Sequence, residues 1–379
     1  MPRAPVAPQR LKIPPATVIA ANASTGKRGH DAIAFPMIPF YAPGSPSVEL
    51  NAPELCSELT RSAAWIDLYE PTEEEEQVLE AALGIDIPTR EEMQAIELSS
   101  RLYEENGILF MTGTVLTKAD TSKPESSAVT FILTPDKFVT LRYADAAPFH
   151  AFRARRETNL LRYQNGPQFL AGLIDAIVER IADILEGAGA NMDRISSRVF
   201  DAEGPGAHSQ RQAKPRKRRK GRSRKARQRD FVEILRQIGS VSDLLSRARE
   251  SLVSFTRLVA FFREVRKESA EAPEALAHLK TITGDLGSLS DHATFLSSKL
   301  NFLLDATLGM INNEQNAIIK ILSFAAVVFL PPTLVAGIYG MNFHVLPELL
   351  WPYGYPFALF LMFLSAVLPY LYCKRQGWL

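Results

Sequence analysis

An α+β body, a set of long helices and a C-terminal pair of membrane-crossing helices are expected of this chain on three observations. Strand-like and helix-like segments alternate over residues 64–143. From Phe169 onward apolar residues recur at helical spacings. Two uncharged apolar runs close the sequence. At 379 residues the chain is long enough for two or three compact units. Its net charge of +1 conceals an asymmetry: the 12 Lys/Arg between Arg211 and Arg229 stand without an Asp or Glu, and subtracting them leaves about −11 on the rest. Cys56 and Cys373 lie far apart and form no CxxC pair, which argues against a disulfide framework and a Cys-based zinc site.

The expected units run in order. Residues 1–35 are Pro- and Ala-rich and read as disordered. Arg3, Arg10 and Lys12 are followed by Pro14 and Pro15 rather than by the apolar core of a cleaved signal. Residues 36–165 read as an α/β unit. Within it, residues 64–68 form a strand, and a helix starts after Thr72, with acids in its first turn, and ends at Gly84. Residues 88–98 read as a second helix, with Thr89 and Glu92 in a capping-box pattern. Strands follow at 108–116, 128–133 and 137–143, the last two joined by a turn at Thr134-Pro135-Asp136.

Residues 166–317 read as a helical stalk region with a basic insertion at 209–229. Ile174, Ile177, Ile181 and Ile184 recur at spacings of 3, 4 and 3, so one helix runs toward Phe200. A second begins near Phe231 and passes Phe262. A third opens at Pro273 and has no clear stop before about Asn342, which gives it a length of about 100 Å. Such a helix cannot bury itself alone, and copies of itself are the simplest neighbours. The basic run between the first two helices has the composition of a nucleic-acid tail, but no aromatic residues interleave with it. It reads as a solvated tip, open to anionic lipid or polyphosphate, and no nucleic-acid partner is expected.

Residues 318–379 read as a membrane hairpin with spans at about 318–341 and 355–373. The uncharged stretch 321–339 rises about 28 Å, enough for the hydrocarbon core. Lys320 precedes the first span, Lys374 and Arg375 follow the second, and the loop at 343–355 has no Lys or Arg. Both termini are therefore expected on the cytoplasmic side, with Trp351, Tyr353 and Tyr355 at the outer interface. Pro331 and Pro332 lack N–H groups, so carbonyls one turn earlier lose partners. This is either a tolerated kink or the mark of a helix lining a wet path.

In a bundle of such helices, lining residues follow spacings of 3 and 4. One line runs Asp305, Gly309, Asn312, Asn316, Ile319 and another Ala326, Leu330, Thr333, Gly337. Asn carbonyls can hydrogen-bond the water shell of a strongly hydrated cation without stripping it, and rings of Ile319 and Leu330 could close the path by dewetting. Helix packing is the competing reading for Ile319 and Leu330.

At Gly340-Met341-Asn342 the sequence resembles the CorA magnesium-transporter family. The matching segments are INNEQNAIIKI, VVFLPPTLVAGIYGMNF, LPELLWPYGYP and CKRQGWL, with fainter likeness in AWIDLYEPTEEE and VTFILTPDKFVTLRY. The resemblance implies a funnel-shaped homopentamer in a bacterial inner membrane. It implies Gly340, Met341 and Asn342 as the outer selectivity site, with Asn342 binding the hydrated ion. It also implies a ring at Asn316, an intermediate ring at Thr333, hydrated ions at Asp305, and constrictions at Ile319, Leu322 and Leu330. Cytoplasmic Mg2+ would be sensed between subunits, for which Glu92 and Asp285 are the nearest candidates, with Glu standing where Asp is expected. Two departures stand out: His344 follows the motif where relatives carry an acid, leaving Glu348 as the loop's acid, and the tip that is often acidic is basic here.

The expected activity is passive, potential-driven influx of Mg2+, also of Co2+ and Ni2+, gated by cytoplasmic Mg2+. No covalent chemistry or organic cofactor is expected, since nothing resembles a P-loop or an aspartyl-phosphate motif. The alternatives are a zinc or cobalt/nickel transporter on the same fold, and a membrane-anchored regulatory or nucleic-acid-binding protein using residues 211–229.

Overall fold

In a computed structural model, residues 38–42, 48–50, 63–95, 97–121, 123–160, 162–200, 224–267, 273–341, 351 and 353–376 are described. The segment 1–35 and most of the basic insertion lie outside them. The sheet has seven strands: β1 (Ile38–Tyr41), β2 (Val48–Leu50), β3 (Trp65–Tyr69), β4 (Leu102–Glu105), β5 (Ile108–Thr117), β6 (Glu125–Leu133) and β7 (Phe138–Arg142). Their order is β2-β1-β3-β7-β6-β5-β4, and β3 pairs with β7 in parallel while the other neighbours are antiparallel.

Three short helices fill the connection from β3 to β4. α1 (Glu73–Leu83) is started by a complete capping box: Thr72 Oγ1 accepts from the Glu75 N–H at 3.3 Å, and the Glu75 carboxylate accepts from the Thr72 N–H at 2.9 Å. Gly84, at φ 65°, ends it and donates its N–H to Glu80 O. The helix expected at 88–98 is instead two single turns, α2 (Arg90–Met93) and α3 (Leu98–Arg101). The capping box of Thr89 and Glu92 forms, but Gln94 and Ala95 donate three residues back, to Glu91 O and Glu92 O. That tightens and ends the turn, while buried Met93 pins it to the sheet.

β4 is an element the sequence reading missed. It joins β5 through Asn106-Gly107, both at positive φ (51° and 79°), the two-residue turn whose twist suits a hairpin. β1, β2 and α4 (Ala147–Thr158) were missed as well.

Both sheet faces are covered, so β5, β7 and the second half of β6 are buried almost without a break, their threonines included. One face carries Ile66, Leu68, Ile132, Val139 and Leu141 under Leu79 of α1 and Met93 of α2. The other carries Trp65, Met111, Phe131 and Phe138 and merges with the core of the long helices. A polar network is buried between β3, β7 and α4. Trp65 Nε1 donates to Thr140 Oγ1 at 3.1 Å, and Thr140 Oγ1 donates to Asp67 at 2.7 Å. Asp67 also receives Arg142 Nη2 at 3.1 Å and the Arg153 guanidinium. Fully buried Asp67 is thereby matched by two cations and a hydroxyl.

The long helices are α5 (Gly166–Phe200), α6 (Arg224–Val265), α7 (Pro273–Tyr339) and α8 (Gly354–Arg375). Ile174, Ile177, Ile181 and Ile184 are buried along α5, as their spacing requires. α6 begins earlier than expected: its first turns take in Arg224–Arg229, so the end of the basic run is helix rather than loop. α6 packs against β5 at Gly113, where a Cβ would come within 3.0 Å of the Phe255 ring. At 67 residues, α7 is about 100 Å long and passes unbroken through Pro331 and Pro332.

Candidate ion-conduction pathway

α7 is two-faced along its whole length. In its first half a buried seam runs from Ala275 through Leu286, Leu296 and Leu303 to Thr307, packed on α5 and α6. Two residues along a helix are about 200° around it, so Asp305 faces away from Leu303. Asp305, Gly309, Asn312, Asn316 and Ile319 are all exposed. Farther along, Phe324, Val328, Pro331, Val335 and Tyr339 are half-buried on the side toward α8, where the Phe324 ring lies 6.2 Å from that of Tyr370. Ala326, Leu330, Thr333 and Gly337 again lie on the exposed side. Both sequence-derived lines thus lie on a face that is left open among the described residues. Leu322 is 72% and Leu330 65% exposed; apolar groups so bare need lipid or another chain against them.

The Thr333 hydroxyl donates its hydrogen to Phe329 O at 2.7 Å, which leaves its lone pairs to accept from elsewhere. At the end of α7 the Gly340 N–H reaches Ala336 O at 2.9 Å and the Met341 N–H reaches Ile338 O at 3.3 Å. A Cβ on Gly340 would stand 3.0 Å from Ala336 O. This steric constraint has no signature in the sequence beyond the glycine itself. Asn342, His344 and Glu348 lie outside the described residues. Where α8 begins, Trp351 packs on Tyr353 and Phe357, with ring centroids 6.3 and 5.7 Å away. α8 and the last third of α7 are each long and apolar enough to cross a membrane.

Glu92 and Asp285 are both exposed, and no hydrogen bond or ion pair joins them among the described residues. Glu92 is engaged in its capping box. Burial raises the pKa of Tyr103, and the charges of Glu92, Glu105 and Asp86 push it further in the same direction, so three carboxylates act on this end of the sheet. No cluster of three or more His, Cys, Asp or Glu suited to a metal occurs among the described residues. Near the span, a cavity of about 200 Å³ is lined by Phe231, Val232 and Leu235 of α6 and Ile311 and Ile318 of α7. The leading end of α6, with its basic residues, therefore lies beside the last turns of α7 before Lys320.

An α/β body whose longest helix continues into the first of two apolar spans defines an integral membrane protein in which body and membrane share one rigid element. A family model described as "CorA-like Mg2+ transporter protein" matches residues 61–375. The chain belongs to this family, whose members are ion transporters and not enzymes. Among curated relatives, the "Magnesium transport protein CorA" of Haemophilus ducreyi is 31% identical over 334 residues, covering 88% of this chain and 96% of the relative. That of Pasteurella multocida is 34% identical over 318 residues, covering 84% and 92%. Among solved structures, the complete CorA magnesium transporter from Methanocaldococcus jannaschii superposes with a TM-score of 0.62 at 18% identity, covering 90% of this chain and 98% of that one. The full-length CmaX protein gives 0.58 at 12% identity, covering 93% and 100%.

Proposed function

We propose that the chain forms a funnel-shaped homopentameric Mg2+ channel in the cell inner membrane, with both termini cytoplasmic. Hydrated Mg2+ enters down its concentration gradient and the membrane potential, and Co2+ and Ni2+ follow the same path. The observation that carries the reading is the face of α7 left open among the described residues, polar at Asp305, Asn312 and Asn316 and apolar or small from Ile319 to Gly337. Five copies of that face around an axis give a lined path without any cluster of ligands within one chain.

The chemistry suits an ion that releases water reluctantly. The waters around Mg2+ point their hydrogens outward, so a path for the hydrated ion needs acceptors. Asn312 and Asn316 offer amide carbonyls, and Thr333 offers the lone pairs its intrahelical bond leaves free. Ile319, Leu322 and Leu330 are the constrictions, closing by dewetting. Gly340, Met341 and Asn342 form the outer filter, with Asn342 holding the hydrated ion. Glu92 and Asp285 of adjacent subunits bind regulatory Mg2+, helped by Asp86 and Glu105, and hold the channel closed when internal Mg2+ is high. In the outer loop, whose sequence holds His344 and Glu348, uptake falls when the His344 imidazole is protonated.

The test is ion flux into liposomes. The native chain is expected to pass Mg2+, with Co2+ and Ni2+ ahead of Zn2+, and Asn342→Ala is expected to lose most of the Mg2+ flux while assembling normally. Zn2+ as the preferred ion, or full flux in Asn342→Ala, would overturn the assignment.

A further inference from the structure

β4 pairs with β5 only as far as Met111, so on the side away from β6 the edge of β5 from Thr112 onward has no neighbouring strand among the described residues. α6 takes over part of that edge. The Thr114 N–H donates to Ser254 Oγ at 3.0 Å, and Ser251 Oγ donates to Thr114 O at 2.6 Å. Beside these bonds, between β5, α6 and α7, lies a cavity of about 540 Å³, within the range that takes a small-molecule ligand. Three guanidiniums line it: Arg101 from α3, and Arg249 and Arg257 from α6. No carboxylate pairs with any of the three among the described residues. Arg101 Nη1 reaches Thr114 Oγ1 at 3.5 Å, but its Nε is buried with no hydrogen-bond partner. The single acid in the lining, Glu250, accepts from Ser126 Oγ at 3.3 Å. A cavity with three unpaired cations and one acid attracts anions.

The spacing narrows the class. Arg249 and Arg257 are eight residues apart, about 12 Å along α6, with Arg101 set across from them on α3. A chain of phosphates spans that separation more fully than a single phosphate does, each guanidinium giving paired N–H donors. Position excludes a lipid headgroup, because Asn301, in the cavity wall, precedes Lys320 and the span by 19 residues, about 28 Å of helix. Leu102, Leu245 and Leu300 supply an apolar wall suited to a flat base. We propose that this cavity binds an extended polyphosphate anion of the nucleoside-polyphosphate class.

The experiment is calorimetric titration of the full chain in nanodiscs of zwitterionic lipid with ATP, tripolyphosphate and inorganic phosphate. It is repeated on a chain whose 12 basic residues at 211–229 are replaced by Gln, since that run would also collect polyphosphate. Saturable ATP or tripolyphosphate binding in both chains is expected, with phosphate much weaker. Tripolyphosphate equal to ATP assigns recognition to the phosphates, and tighter ATP adds the base. Arg249→Gln and Arg257→Gln, both at exposed positions, should each weaken binding about tenfold, the usual scale of one lost charge-assisted contact, with the native mass unchanged. Four results would overturn the proposal: no saturation up to about 10 mM, binding that disappears with the basic run, phosphate as tight as tripolyphosphate, or a changed number of copies in either Arg variant. The last would make the cavity a subunit contact.

Discussion

A methyl group at position 340 would press on the Ala336 carbonyl at 3.0 Å, where the Gly340 N–H already bonds. Gly340→Ala must therefore shift the last turn of α7 by a few tenths of an ångström. Met341 and Asn342 follow directly, so the shift is carried into the proposed filter. Mg2+ flux in liposomes should fall several-fold while assembly stays normal, and unchanged flux would remove this backbone from the filter. Tyr143 supports a prediction of another kind. Burial first, then the 3.0 Å hydrogen bond to Glu76, pushes its pKa from the usual 10 up to about 12. The folded state then holds a proton that the unfolded chain has released between those values. Its contribution to stability is complete below pH 10 and is lost as the pH rises through about 12. Melting temperatures measured from pH 9 to pH 12 should fall more steeply for the native chain than for Tyr143→Phe, and parallel curves would refute the linkage.

Local signals proved the most readable. Both capping boxes, at Thr72 and Thr89, form as their spacing requires, and the isoleucine repeat of α5 marks its buried face. β4 escaped although Asn106-Gly107 announces a hairpin, because the four residues of the strand carry only two apolar side chains. The 88–98 segment was overextended, since a capping box fixes where a helix starts but not where it stops. The 3-and-4 spacing of Asp305 to Gly337 was legible, and the structure adds that none of the described residues covers that face. Pairings across the chain left no local trace. Asp67 meets Arg142 and Arg153 only because β3 and β7 run parallel and α4 folds back over them. Asp67→Ala removes the acceptor shared by buried Arg142, half-buried Arg153 and Thr140 and should cost about 3–5 kcal/mol. The urea midpoint followed by far-ultraviolet circular dichroism reports it. A shift no larger than that of an exposed control such as Asp243→Ala would show that the network contributes little.

Among the described residues, an apolar and polar-lined surface of α7 is bare on the side away from α5, α6 and α8, from Asp305 to Gly337. Lipid can cover the membrane part at Leu322 and Leu330, but Asn312 and Asn316 lie below it, and Thr333 faces the same way inside it. Copies of the same helix around an axis accommodate all of these together, because the polar members then face a wet centre. With a chain mass of 42.1 kDa, native mass spectrometry from detergent should show a species of about 210 kDa, five copies. Removal of residues 209–223 separates this assembly from the basic run. The helix that follows it, α6, lines the cavity formed with Ile311 and Ile318 through Phe231, Val232 and Leu235. The shortened chain should keep both the five-copy mass and its Mg2+ flux. If flux disappears while the mass is retained, the basic run belongs to the ion path. If the mass falls to a single chain, assembly through the bare face of α7 is wrong, and the channel reading falls with it.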